Sequence, residues 1–360
     1  MVSRRWLVVA GLVALGTSLA ASAQVQGPDK MPLGILTNSG QIPPDQVKTI
    51  ETYIQSWVQN LGSDRESQIQ AGREHLLDPL SQGGTANFLA VYNQHLATAL
   101  ADSHLLESSK PLVRLNVMIV LARVQDPAVI PMIQAGLEDA APAIRYWAAK
   151  AVATLAGGGT AFSDKDRQAL IQSLTAAAGK EKVESALGME LIALARQPSA
   201  SAWNNLLTLL DDRLAAHRKD VELDITPERQ ALIDMVARLG QQVIANPASA
   251  TQYQAAMTHS VQTLYRYVDL ALLALGQTPP VSDNAKREYQ ALVDDASNWL
   301  LFFLRQADAK VKLPSVNDLV RQGNVPEALL RFEDSTTSGW CGQVQRLYKL
   351  TAGDLALPPK

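Results

Sequence analysis

The sequence predicts an all-α fold, an α-α superhelix of stacked helix pairs followed by a C-terminal helical extension or bundle. Three observations predict it. The chain is rich in good helix formers such as Ala, Leu, Gln, Glu and Arg. Its apolar residues recur at helical spacing from about residue 44 onward. Alternating β-branched runs joined by Asn-Gly or Asp-Gly turns, the usual marks of hairpins, are missing from the sequence.

Composition excludes several classes of protein. The 360 residues, of which 47% are apolar, are enough to bury a core. Lys+Arg number 32 and Asp+Glu 35, and the net charge of −3 lacks the basic excess of a nucleic-acid binder. The single cysteine, Cys341, excludes an internal disulfide and a Cys-rich zinc site, and we expect it to be a structural thiol. The five scattered histidines offer no metal-ligand spacing. We therefore expect no metal, no cofactor and no nucleic-acid partner.

The first 23 residues have the three parts of an export signal. Arg4 and Arg5 are basic, residues 6–15 are apolar, and residues 21–23 read Ala-Ser-Ala. The apolar run is shorter than the roughly 20 residues that span a bilayer. This pattern predicts cleavage before Gln24 and export to the periplasm or the extracellular space. The alternative is an uncleaved N-terminal anchor.

Residues 24–44 contain prolines and glycines without apolar periodicity, which predicts a flexible N-terminal segment. Helical periodicity then begins. Residues 86–106 are predicted to be the partner helix of the first clear repeat.

Two segments repeat each other at a distance of 31 residues. Residues 111–114 read Pro-Leu-Val-Arg, and residues 142–145 read Pro-Ala-Ile-Arg. Proline suits the first turn of a helix, where its missing N–H would have no partner. Each motif opens an apolar stripe with the same spacing, and the stripes are Val113, Val117, Val120, Leu121 and Val124, then Ile144, Ala148, Ala151, Val152 and Leu155. Residues 127–139 between them predict a second, shorter helix. The unit is thus a helix pair, which must stack on neighbours to bury its apolar face.

A third copy starts at Val183 and departs from the pattern. Glu184 stands in place of the arginine, no proline precedes it, and Glu190 falls where an apolar residue is expected. Further helices are predicted over residues 200–214, 226–244, 249–275, 282–310 and 314–322.

The best-matching copy, residues 138–149, reads Glu-Asp-Ala-Ala-Pro-Ala-Ile-Arg-Tyr-Trp-Ala-Ala. An acidic turn before Pro-x-[Val/Ile]-Arg resembles HEAT repeats, including the short HEAT-like repeats of phycobilisome lyases. The resemblance covers about residues 85–215, and it implies a solenoid used for binding. The first copy has Ser108 where the second has Asp139. The chain is accordingly divided into an export signal (1–23), a flexible segment (24–44), HEAT-like repeats (45–217) and a C-terminal helical region (218–360).

The candidate binding residues are Arg114, Arg145, Tyr146 and Lys150. The resemblance implies that the two arginines pair with acidic turns of neighbouring repeats and form a ladder. The alternative is that, with Tyr146 and Lys150, they line the concave surface of the repeats and receive a protein or peptide.

The predicted function is that of an exported, non-enzymatic helical-repeat protein that binds or scaffolds a protein or peptide. The sequence lacks a Gly-x-Ser-x-Gly elbow and a phosphate-binding Gly-x4-Gly-Lys-[Ser/Thr] loop, and no membrane span follows the signal. Two alternatives remain. One is an enzyme or cofactor-handling, lyase-like protein with its site in the C-terminal helical region. The other is an envelope component anchored by an uncleaved N-terminal helix.

Overall fold

A computed structural model describes residues 29–157, 163–245 and 250–359. Within these ranges the chain forms helices and connecting turns and contains no strand. The predicted all-α fold is confirmed. The predicted export signal, residues 1–23, lies outside the described residues. None of the helices described combines the length and the apolar character that crossing a bilayer requires.

The helices are numbered in chain order. They are α1 (Leu33–Leu36), α2 (Pro44–Leu61), α3 (Glu66–Ser81), α4 (Ala86–Asp102), α5 (Pro111–Leu121), α6 (Ile130–Leu137), α7 (Pro142–Gly157), α8 (Asp164–Ala178), α9 (Glu184–Arg196), α10 (Ala200–Lys219), α11 (Thr226–Ala245), α12 (Ala250–Leu275), α13 (Asp283–Ala307), α14 (Val316–Arg321), α15 (Val325–Glu333), α16 (Trp340–Tyr348) and α17 (Ala352–Leu355). Short 3-10 helices span Leu105–Glu107 and Pro127–Val129.

From α2 to α13 the helices alternate between two layers. The first layer contains α2, α4, α6, α8, α10 and α12, and α4 meets α6 through the 3-10 helix that leads into it. The second layer contains α3, α5, α7, α9, α11 and α13, each of which packs beside the next. This arrangement is that of a helical-repeat solenoid.

The two repeated stripes lie in the core between these layers. All ten of their residues are at most 2% exposed, and α5 packs directly beside α7. Burying a side chain such as Val113 or Ile144 stabilises the fold by about 1.5–3 kcal/mol. The side-by-side placement of the two copies, predicted from their common spacing, is confirmed.

Part of the segment that was predicted to be flexible is packed. Met31, Ile35, Leu36 and Ile42 are each at most 7% exposed. The Leu36 carbonyl accepts a hydrogen bond of 3.0 Å from the Thr85 backbone N–H, which ties the segment to the start of α4. Because prolines interrupt these apolar residues, they show no helical period in the sequence. Residues 29–44 are therefore docked on the first repeats, which corrects the prediction for this part of the segment.

The two layers continue through the boundary predicted at residues 217 and 218. His217 is fully buried inside α10, and α11 to α13 extend the same alternation. The four short helices α14 to α17 then pack against α12 and α13, which closes that end of the stack. The C-terminal region is thus an extension of the solenoid. The predicted break at residues 246 and 247 lies outside the described residues.

Candidate binding face

Arg114 links the first two copies of the repeat. Its Nε and Nη2 donate to the Asp139 carboxylate at 2.7 and 3.1 Å, while Nη1 donates to the Ser108 carbonyl at 2.7 Å. Burial opposes the charged form of Asp139, but the bonds from Arg114 and from the Ala141 backbone N–H lower its pKa. The Arg114 guanidinium thus bonds both to the turn before its own helix and to the acidic turn before the next second-layer helix.

Arg145 repeats this arrangement one unit later. Its Nε and Nη2 donate to Glu181 at 2.6 and 2.9 Å, and Nη1 donates to the carbonyls of Asp139 and Ala140 at 2.8 and 3.1 Å. The bonds from Arg145 lower the pKa of Glu181 to about 2. A planar fork of this kind suits bidentate pairing with a carboxylate. Together the two arginines form a ladder along the turns.

A third rung follows with the charges exchanged. Glu184 takes the position of the arginine, and Nη2 of Arg213 in α10 lies 3.2 Å from both of its carboxylate oxygens. Nε of Arg213 also bonds Glu228 of α11, and Nε2 of His217 lies 3.1 Å from the same carboxylate. Burial alone would raise the pKa of Glu228, but the bonds from His217 and Arg213 lower it. The sequence analysis missed this rung, because its arginine belongs to a first-layer helix.

The contacts of Arg114 and Arg145 bear on the two roles considered for these residues. All three nitrogens of each guanidinium donate to internal acceptors, so both side chains are committed to the structure. These contacts therefore favour the ladder role over partner binding for the two arginines. Each arginine has such a partner because an acidic residue, Asp139 or Glu181, lies in the turn before the next second-layer helix.

Tyr146 and Lys150 lie elsewhere on α7, around Trp147. The Lys150 Nζ lies 4.1 Å from the centre of the Trp147 ring and 6.0 Å from that of Tyr146. The two rings meet edge to face, with centres 5.9 Å apart. All three side chains are half-buried, and no carboxylate in the described ranges pairs with Lys150. Tyr146 and Lys150 were predicted from the sequence, and the structure places Trp147 beside both of them.

Half-buried apolar side chains continue this surface across four helices. They lie on second-layer helices and are partly exposed, and all of them except Ile119 pack against the buried core. Among the described helices, α7 packs mainly against α5, α6 and α9, and α9 packs mainly against α7, α8, α10 and α11. We call the set the apolar band, and its members are Leu115, Ile119, Trp147, Met189, Ile192 and Ile233.

One carboxyl group lies in the core close to the ladder. Glu190 is fully buried, and neither of its carboxylate oxygens has a hydrogen-bond partner. Burial, with a smaller contribution from the negative charge of Glu181, raises its pKa to about 8. At neutral pH this side chain is therefore mostly protonated, which explains how a glutamate occupies a position where the repeat requires an apolar residue.

A cavity of about 590 Å³ lies beside the second rung, with Asp139, Arg145 and Glu181 in its wall. The pKa values of these groups are displaced by their ladder partners. Burial raises the pKa of Glu190 to about 8 and that of Asp269 to about 7, but neither residue lines the cavity.

Metal and thiol chemistry were considered in the same way. In the parts of the chain described above, no three His, Cys, Asp or Glu side chains are arranged to hold a metal ion. Cys341 is 9% exposed at the start of α16, and burial raises the pKa of its thiol. A nucleophilic cysteine needs the opposite shift.

Comparison with known proteins agrees with the geometry. Residues 103–189 match the family model described as HEAT repeats, which covers the first two rungs of the ladder and most of the apolar band. This part of the chain is similar to HEAT repeats. No curated protein matches the chain.

Proposed function

We propose that this protein, in which residues 103–189 match the HEAT-repeat model, is an exported, non-enzymatic binding or scaffolding module. Its partner is a protein or peptide segment held on the open face of the second layer, which the sequence analysis expects to be the concave side. HEAT repeats are typical of protein-interaction modules, and this family assignment supports the general class of function.

The apolar band is the observation that carries the proposal. Contiguous half-exposed apolar side chains on a folded protein mark interaction sites, especially when polar residues border them. Trp147 and Tyr146 supply the large, rigid side chains that often dominate binding energy. The ladder keeps neighbouring second-layer helices in fixed register, so the band is held as one preformed surface.

Photo-crosslinking tests the location of the partner. A photo-reactive amino acid replaces Ile119 or Met189 in the full-length protein, and Gln94, exposed on α4 in the first layer, serves as the matched control position. We expect crosslinked adducts from the two band positions and none from Gln94. Trp147→Ala should abolish the adducts while circular dichroism shows the folded protein. Equal adducts from Gln94, or none from folded protein, would contradict the proposal.

Export is tested separately, by mass spectrometry of the protein recovered from its native cells. A chain that starts at Gln24 in the envelope or medium supports export with signal cleavage. A chain that keeps residues 1–23 and remains with the membrane supports the anchored envelope component instead.

The non-enzymatic part of the proposal is supported by the chemistry of the cavity beside the ladder. Asp139, Arg145 and Glu181 in its wall are bonded within the ladder, whereas catalytic acids and bases need a free group close to the substrate. The apolar band offers apolar and cationic groups but no nucleophile with an adjacent base.

A further inference from the structure

We infer that the partner segment bound by the apolar band is acidic: an apolar peptide segment whose flanking positions carry carboxylates. This inference rests on the proposed function and specifies the chemistry of its partner. The charges that border the band, and the pairing of those charges within the protein, point to this chemistry.

Free carboxylates are missing from the central part of the band. Helices α5 and α7 contain no Asp or Glu. In α9, Glu184 is bonded to Arg213, and Glu190 is fully buried. Along these three helices no carboxylate is therefore available to attract a basic segment.

Cations border the same surface. Lys150 rests on Trp147, and within the described ranges it forms no ion pair and donates no side-chain hydrogen bond. At the α9–α11 junction Asp234 is shared between Arg196 and Arg238, at 3.1 Å from each. Two guanidinium groups against one carboxylate leave a net positive charge there. Both places thus attract anions although the whole chain has a net charge of −3.

The register of the repeats puts Lys150 in the middle of the apolar side chains. The copies are 31 and 39 residues apart, so Lys150 corresponds to Ile119 on α5 and to Met189 on α9. A segment that covers these two residues must lie close to the Lys150 ammonium. Opposite charge on the segment is then attracted at close range, whereas a lysine or arginine there would be repelled.

Three synthetic 16-residue peptides test the inference on the full-length protein. They share the same apolar residues at helical spacing and differ only at the remaining positions, which are all Glu, all Gln or all Lys. Fluorescence anisotropy gives the Kd of each at low salt. We expect the Glu peptide to bind most tightly and the Lys peptide most weakly.

A charge-reversal variant localises the effect. Lys150→Glu should change the ratio of the Kd values of the Lys and Glu peptides by about fivefold or more, in favour of the Lys peptide. The matched control is Lys165→Glu on α8, an exposed lysine of the first layer that should leave the ratio unchanged. Raising the salt concentration should weaken the preference of the wild-type protein, because the groups involved are partly exposed.

The outcomes separate this inference from the proposed function. Equal Kd values for all three peptides, with binding lost in Trp147→Ala, would overturn the acidic partner and leave the band as a binding face. Tighter binding of the Lys peptide, or an equal effect of Lys165→Glu, would also overturn it. If no peptide binds, the inference fails, and photo-crosslinking alone then decides whether the band is a binding face.

Discussion

At the scale of single residues, the charged side chains of the repeats mainly connect one unit to the next. Arg145 donates to acceptors in two different turns, and its partner Glu181 has a side chain only 1% exposed. A buried carboxylate is tolerated when it is paired and hydrogen-bonded. Glu190, also buried but without partners, avoids the same cost by keeping its proton.

The rung at Arg145 should contribute strongly to stability. In Arg145→Ala the Glu181 carboxylate stays buried without its counter-ion, so we expect the free energy of unfolding to fall by about 2–4 kcal/mol at pH 7. Urea denaturation followed by circular dichroism measures this loss. The matched control is Arg123→Ala, which removes an exposed arginine just after α5 and should change stability by less than about 0.5 kcal/mol.

The same pair predicts a pH dependence. The folded pKa of Glu181 is about 2, below its ordinary value of 4.5. Between pH 2 and pH 4.5 the unfolded chain binds more protons at Glu181 than the folded protein does. The contribution of the pair to folding stability is therefore complete above about pH 4.5 and is lost as the pH falls toward 2. The stability difference between wild type and Arg145→Ala should shrink accordingly. A difference that stays constant from pH 6 to pH 2 would contradict this assignment.

Glu190 predicts a pH dependence of the opposite sign. Its folded pKa of about 8 lies above its ordinary value of 4.5, so the folded protein binds more protons between these values and stability falls as the pH rises. Glu190→Gln removes the titrating group, and we expect it to stabilise the protein at pH 8 by about 1–3 kcal/mol relative to wild type. Urea denaturation at pH 5.5, 7 and 8.5 measures the trend.

The control for this measurement is Glu138→Gln, at an exposed glutamate after α6. It should leave the slope of stability against pH unchanged. If Glu190→Gln keeps the wild-type slope, the carboxyl group is not buried as described.

Only part of this residue-scale chemistry could be predicted from the sequence. The repeated Pro-x-[Val/Ile]-Arg motif identified Arg114 and Arg145, and the turn before the second motif pointed to Asp139. The carboxylate partner lies 25 residues after Arg114 but 36 after Arg145. The second and third copies are 39 residues apart instead of 31, and Glu181 lies three residues before Glu184, whereas Asp139 lies six before Arg145. Because of that change of spacing, Glu181 could not be predicted as the partner of Arg145. Arg213 could not be predicted either, because no repeated motif includes it.

At the scale of helices, the spacing of apolar residues predicted the helix boundaries better than the local motifs did. Pro111 and Pro142 mark the observed starts of α5 and α7, and the helix predicted over residues 226–244 matches α11 within one residue. The predicted helix over residues 127–139 is instead a 3-10 turn followed by the short helix α6. The apolar band escaped prediction because half-buried apolar residues continue the same helical period as core residues.

Close helix packing yields a prediction at Gly72 in α3. A Cβ atom placed there would lie 2.8 Å from both the Trp57 carbonyl oxygen and the Leu61 backbone nitrogen of α2. Since backbone atoms cannot move aside as a flexible side chain can, Gly72→Ala should force α2 and α3 apart and destabilise the protein by about 1–3 kcal/mol. Thermal unfolding measures the loss.

Gly34 in α1 provides the matched control for this substitution. A Cβ atom there meets no other atom within 4 Å, so Gly34→Ala should be neutral or slightly stabilising. Equal unfolding temperatures for Gly72→Ala and wild type would show that the two helices are not in such close contact.

At the scale of the whole molecule, the two layers make the chain a continuous stack rather than a set of separate units. Each helix pair buries its apolar face only against its neighbours, so stability is shared between adjacent pairs. The repeat spacing is recognisable in the sequence over about residues 85–215 and cannot be followed beyond them. The reason is that α12 and α13, with 26 and 25 residues, are longer than the earlier helices. The layers nevertheless continue, since packing requires apolar faces and not equal lengths.

This continuity predicts that the chain cannot be divided at the boundary placed between residues 217 and 218. A fragment of residues 24–217 would end inside α10 and would lose α11, which covers α9 and supplies the Glu228 carboxylate bonded to Arg213 and His217. We expect this fragment to bind a hydrophobic dye and to unfold at a lower temperature and over a broader range than the full-length protein. Circular dichroism and dye fluorescence measure both properties. A fragment that unfolds as sharply and at the same temperature would instead establish an independent domain ending at His217, and the second-layer stack would then consist of two separable parts.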